Sequence, residues 1–345
     1  PQKHFDTLLY TGTGSSNIVE GLEFSPDMIW VKGRDTNGTE HAIIDSVRGG
    51  NNSLVPNSDD VESTHGGRSM TFYPGGVRWN SDSGNCNANG ENYAMWCWKG
   101  GGAAVSNTDG TITSSVSANT EAGFSIVSYT GNQTSGATVG HGLNSKPKWF
   151  IIKERGNTND WTVYHESLGS TGGGDTYVLF LNLTNDKGGG FAGGYNNTAP
   201  TSSVFSLGNS VETNRSGGSF IAYCWSEVPG FSKFGSYTGN GSSSGTYVDL
   251  GFRPAFLILR RTDDSKSWIL FDNKRSPSNL VNKSLYPNRN DGDNGLSNLE
   301  VDFLSTGFKL RNSVSTINAS GGTFVYFAFA EQPGTTPFDT FPNAR

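Results

Sequence analysis

The chain has 345 residues, 47 of them glycine, with 16% charged and 12% aromatic residues and a formal net charge of −6. The acidic excess is dispersed and no Lys/Arg cluster exists that could track phosphates, so nucleic acid is excluded as an expected partner. No apolar run approaches 18 residues, which excludes a membrane-spanning helix, and no signal-peptide pattern opens the chain. Pro1 in place of Met implies that an initiator was removed or that residues precede this segment.

Taken in chain order, the elements repeat. Tyr-Thr-Gly occurs at Tyr10, Tyr129 and Tyr237, and Pro26, Pro147 and Pro254 follow 16 to 18 residues later. Each Pro opens an apolar run closed by a cation: DMIWVK to Lys32, KWFIIK to Lys153, AFLILR to Arg260. Such a run is apolar on both faces and predicts a central strand covered on both sides. Pro is tolerated at a strand's first residue but not within it, which makes the three prolines structural markers. Each copy ends on an aromatic strand: Tyr93 to Trp98, Phe220 to Trp225, Phe324 to Phe329. Recurrence of one ordered set of motifs, with copies starting at Tyr10, Tyr129 and Tyr237, is the mark of one module used three times.

The fold class is all-β. Gly and Asn supply the positive φ of tight turns, and no segment keeps a 3.6-residue apolar period. Six or seven short strands per copy indicate three tandem β-sandwich or jelly-roll-like modules, each large enough to bury its own core. The expected boundaries are 1–100, 123–231 and 232–331. Between the first two lies a Gly/Ser/Thr linker, 101–122, whose stretch Gly110 to Ser117 should form an extra strand against Phe124 to Tyr129. A Pro-containing arm, 332–345, closes the chain. Short helical turns are expected at Asp45 to Arg48 and Asn273 to Ser276.

Cys97 and Cys224 occupy one slot of the closing strand, where the third copy has Ala328. A slot that accepts Cys or Ala is small and buried, so both are read as free packing residues rather than a disulfide. Trp161 and Trp268 start equivalent strands, with His41 in the first copy. Core is the better reading of both over a sugar-stacking platform. Trp79 has no aromatic counterpart and is the preferred exposed aromatic.

No catalytic constellation stands out. Asp45, His165 and Asp272 share one position, so that site is not a shared acid. Asp59-Asp60 and Asp263-Asp264 sit in hydrophilic loops, and no carboxylate pair separates itself as a glycosidase couple. Asn288 to Gly295 places oxygen donors around a Gly, with Asp291 and Asp293 as candidate ligands for a hard cation such as Ca²⁺. It lacks a downstream bidentate Glu, and a polar turn without a metal is the competing reading. No cofactor is expected otherwise. A ligand site should lie on loops that differ among copies, first of all Ser63 to Asp82, where Arg68, Tyr73, Trp79 and Asp82 offer an aromatic face with a cation and a carboxylate.

Several of these pieces recur together. They are Tyr-Thr-Gly, Gly251-Phe252-Arg253-Pro254 with its run to Arg260, the Asp-x-x-Arg corners at Asp45 to Arg48 and Asp272 to Arg275, the closing strand with Ala330-Glu331, and the ending Pro-Asn-Ala-Arg. In this combination the chain resembles a module found in tandem in virion proteins of tailed bacteriophages. The resemblance implies a concanavalin-like sandwich and a non-enzymatic structural protein of the virion surface. That protein would be part of a tail fibre or receptor-binding component, a homo-oligomer in contact with other virion proteins and with host surface glycan. Alternatives are a capsid decoration or head-fibre protein and, further off, a glycan-cleaving enzyme. The second copy departs from the corner motif at His165 to Leu168.

Overall fold

A computed structural model describes residues 2–35, 38–64, 69–81, 84–169, 177–187, 192–293 and 299–331. The arm 332–345, Arg68 and Asp82 lie outside the described residues. The protein is all-β, with several antiparallel sheets and a few single-turn helices such as Val211–Asn214 and Ser315–Asn318.

Three sheets share one strand order. In the first repeat the opening strand Phe5–Thr11 pairs with the closing strand Asn92–Trp98, then the central strand Met28–Gly33, then Ala42–Asp45. The same order holds for Phe124–Thr130, Ser219–Trp225, Trp149–Glu154 and Thr162–His165. It holds again for Ser232–Thr238, Thr323–Ala330, Pro254–Arg261 and Ile269–Asp272. Pro254 is the first residue of its strand; Pro26 and Pro147 lie two residues before theirs. Small sheets accompany each set, such as Asn17–Glu20 with Gly76–Trp79 and Met70–Tyr73.

The linker strand exists but is offset from its expected span. Ser114–Asn119 pairs with the second opening strand, from Ser114 opposite Tyr129 to Asn119 opposite Phe124. The β-branched stretch before it leaves the ladder and packs elsewhere: Ile112 bridges to Val139, and the Thr111 amide donates to Thr138 Oγ1. Of the two expected helical turns, Asp45 to Arg48 and Asn273 to Ser276 are hydrogen-bonded turns, and only the second repeat forms a 3₁₀ turn there, Glu166–Leu168.

Strand alternation explains why the central and closing strands are apolar on both faces. In the closing strands Trp96 and Trp98, Tyr223 and Trp225, and Phe327 and Phe329 all enter one core shared by the three repeats. Met28, Trp30, Trp149, Ile151, Phe256 and Ile258 of the central strands enter it too. The alternate residues enter three separate outer cores, where each large sheet faces its own small sheet. These residues are Tyr93, Met95 and Cys97 in the first, Phe220, Ala222 and Cys224 in the second, and Phe324, Tyr326 and Ala328 in the third. Each repeat therefore does not bury its core alone, as its length had suggested. One whole face of each sheet is covered by the other two repeats. Cys97 and Cys224 are free, buried and in different outer cores.

The Tyr-Thr-Gly motif has a local cause. Tyr10, Tyr129 and Tyr237 donate their hydroxyls to the carbonyls of Cys86, Thr213 and Ile317, just before each closing strand. The glycine lets the two chains touch: a Cβ on Gly12 would lie 2.2 Å from the Ala88 carbonyl oxygen, and one on Gly239 2.2 Å from that of Ala319. Buried Asn87, Asn214 and Asn318 complete the lock by accepting from the amides of Thr13, Asn132 and Asn240.

Candidate functional site

The repeated polar residues meet at three junctions, and all run in one cyclic sense. Trp161 donates through Nε1 to the Val55 and Ser58 carbonyls of the first repeat at 3.0 and 3.1 Å. Trp268 donates to the Phe180 carbonyl of the second at 2.9 Å. His41, at the equivalent position, contacts the Tyr286 carbonyl of the third through Nε2 at 2.9 Å. The three strand-closing cations follow the same circuit. Lys153 donates to Asp59 O, Arg260 to Asn185 O and Lys32 to Asn290 O. Each repeat docks on the one before it, and the first docks on the third, so the ring closes. Burial pushes Lys32 and Lys153 down to about 8 and Arg260 down to about 10.

Equivalent asparagines hold the loops that receive these groups. Asn57, Asn182 and Asn288 accept from the amides of His41, Trp161 and Trp268 within their own repeats. The sequence carries this signal as Pro56-Asn57 and Pro287-Asn288, with Leu181-Asn182 as the divergent copy.

The Asp-x-x-Arg corners are junction parts as well. Asp45 accepts from Arg48 Nε at 2.5 Å and from the Tyr223 hydroxyl of the second repeat at 2.7 Å, while Arg48 donates to that hydroxyl at 3.1 Å. Arg48 and Arg155 also converge on Glu62. Burial opposes ionisation of Glu62, yet these hydrogen bonds hold its carboxyl below the usual range. Asp272 pairs with Arg275 and accepts from Trp96 Nε1 at 3.1 Å. In the second repeat the corner is His165, and the facing residue is Phe327, whose ring lies edge-on at 4.9 Å. Where the corner is charged, the neighbour carries a donor; where it is imidazole, the neighbour carries none. These residues are buried and consumed by packing, which leaves them unavailable to a ligand.

At the junction of the first and third repeats the loops border an open, polar cleft of about 450 Å³, lined by Glu40, Asn57, Ser58, Asp60, Asn288, Arg289, Asn290 and Asp291. Its floor is fixed. Glu40 accepts from the side-chain amides of both Asn57 and Asn290, bridging the two repeats. Its rim is exposed. Asp60 is exposed, and Arg289 pairs with Asp291 at 2.6 Å while stacking over Tyr286 with its carbon 4.9 Å from the ring centre.

The candidate residues from the sequence separate. Trp79 is a correction: it is fully buried in the first outer core. In Gly76–Trp79, Arg78 faces solvent and Val77 and Trp79 face inward, so strand alternation decides against exposure. All eight tryptophans are buried, Trp161 and Trp268 among them, so none offers a free ring to a sugar. Tyr73 is exposed at 41% but lies on the first small sheet and is not part of the cleft. Asp291 lines the cleft, whereas Asp293 is buried against Arg34 at 2.8 Å. Both carboxylates thus face guanidinium groups. Among the described residues no group of three His, Cys, Asp or Glu is close enough together to hold a metal ion.

A search of curated proteins finds no match to the chain. A family profile described as a domain of unknown function, DUF7483, matches residues 1–333. The match spans nearly the whole ring, all three junctions and the cleft, and the chain belongs to the DUF7483 family.

Proposed function

We propose that the chain is three copies of one β-sandwich module, closed head to tail into a rigid body. In this reading it serves as a non-enzymatic structural protein of a bacteriophage virion surface, in a tail fibre or receptor-binding component that recognises host glycan. One observation carries the reading. The motifs that repeat, from Trp161 and Trp268 to the Asp45–Arg48 and Asp272–Arg275 corners, are consumed in holding the repeats together. What repeats is scaffold, and recognition falls to loops that differ between copies. The motif resemblance to tandem virion modules supplies the setting.

Antibody labelling of intact particles tests it. Label on tail fibres, together with adhesion of the purified chain to host cells, is the expected result. Label in an icosahedral array on the head, with no adhesion, would make the chain a decoration protein. Release of reducing ends from host polysaccharide would make it a hydrolase.

A further inference from the structure

We infer that the cleft between the first and third repeats is a binding site for a neutral, hydroxyl-rich saccharide. The inference rests on the recognition reading above and assigns it a place and a ligand class. Three features of the cleft carry it.

The first is size. About 450 Å³ lies in the range of small-molecule sites and admits a ligand of one or two sugar rings. The second is chemistry. All eight lining residues are polar, and they mix acceptors with donors. Asp60 and Asp291 bring acceptors to the lining; Ser58 and Arg289 bring donors. A hydroxyl both donates and accepts, so a polyol can meet such a wall at every point, whereas an apolar ligand would strip these groups of water without replacement. The Arg289 guanidinium, 4.9 Å from the Tyr286 ring centre and paired through Nε with Asp291, sets a cationic donor beside a carboxylate acceptor. The third is preorganisation. Asn57 and Asn288 are tied to the backbone of His41 and Trp268, and Glu40 clamps Asn57 and Asn290. The rim is therefore mounted on groups that do not have to be ordered by the ligand. The two walls come from residues more than 200 positions apart, so the site exists only when the ring is closed.

The test uses the full chain on an array of immobilised neutral hexose and N-acetylhexosamine oligosaccharides, followed by titration calorimetry with the best binder. Asp60→Ala should weaken binding at least tenfold and leave the melting temperature unchanged, because its side chain is exposed; Arg289→Ala should weaken binding at least tenfold with a small drop in melting temperature from the lost Asp291 pair. Tyr73→Ala, outside the cleft lining, should bind as the parent does. Full binding by both cleft variants would overturn the site, and loss in Tyr73→Ala alone would move recognition to the first small sheet. A chain that adheres to host cells but retains no sugar would overturn the ligand class while leaving the recognition reading standing. A chain that does neither would remove both.

Discussion

Tyr223→Phe isolates one polar contact that crosses a junction. The hydroxyl donates to Asp45 Oδ2 at 2.7 Å and accepts from Arg48 Nη2 at 3.1 Å, with all three residues fully or nearly fully buried. The substitution leaves the ring in place, so packing in the shared core is conserved and only the two hydrogen bonds are lost. Hydrogen bonds to charged groups contribute roughly 1.5–3 kcal/mol. Asp45 keeps Arg48 Nε and Arg48 keeps Glu62 and the Ile43 carbonyl, so neither charge is orphaned. A cost of about 2 kcal/mol is therefore expected, near the middle of that range. Urea unfolding read by tryptophan fluorescence measures it, with an unchanged slope required for a clean comparison. The reverse substitution, Phe327→Tyr, supplies the control. It places a hydroxyl against His165, where no carboxylate waits, and should not stabilise. A Tyr223→Phe variant within about 0.5 kcal/mol of the parent would refute the argument that the corner is a junction lock rather than a local turn.

Leu257→Asp should abolish cooperative folding, because Leu257 is fully buried in the third outer core and offers an aspartate no partner; far-UV dichroism and solubility report this. Cys224→Ala should cost about 1 kcal/mol, since the third repeat fills that slot with Ala328, and mass spectrometry of the parent should find no disulfide. Burial holds His41 well below its ordinary value and pushes His141 and His165 down to about 4. The unfolded chain then binds protons below about 6.5 that the native state refuses, so stability is full above that value and falls as pH drops toward 4. The loss should reach about 2 kcal/mol each for His141 and His165 at pH 5, with His41 acting in the same direction, and equal urea midpoints at pH 7 and pH 5 would contradict it.

Much of the fold was legible because strands announce themselves by alternation. Ile151 and Phe150 are both apolar, and a two-sided strand follows from that alone. What covers the second face did not follow. A helix layer, a second sheet or another repeat would each leave the same pattern in Trp149 to Lys153. The ring became visible only through Trp161, Trp268 and His41, whose donors reach into a different repeat. Their equivalence was readable, but their direction was not, since a side chain's partner at the far end of a loop carries no periodic signal. Asn87, Asn214 and Asn318 precede Tyr93, Phe220 and Phe324 by six residues each and could have been found by spacing. Trp79 lacks an aromatic counterpart, but its alternation with exposed Arg78 is the stronger signal and turns it inward. The cleft was half legible. Asn288 to Gly295 stands out in the sequence as a loop of oxygen donors, but the cleft partners of its first residues, Glu40, Asn57 and Asp60, come from the first repeat and meet it only through ring closure.

Scanning calorimetry tests ring closure around a shared core most directly. If the inner faces of the three sheets form one core, the chain melts as one unit. A cooperative unit of this length has an unfolding enthalpy of roughly 240 kcal/mol near 60 °C, taking about 0.7 kcal/mol per residue. The account predicts a single transition whose van't Hoff and calorimetric enthalpies agree. Three separable transitions of about 70 kcal/mol each, or a calorimetric enthalpy near three times the van't Hoff value, would mean that the repeats fold as independent modules and would contradict it.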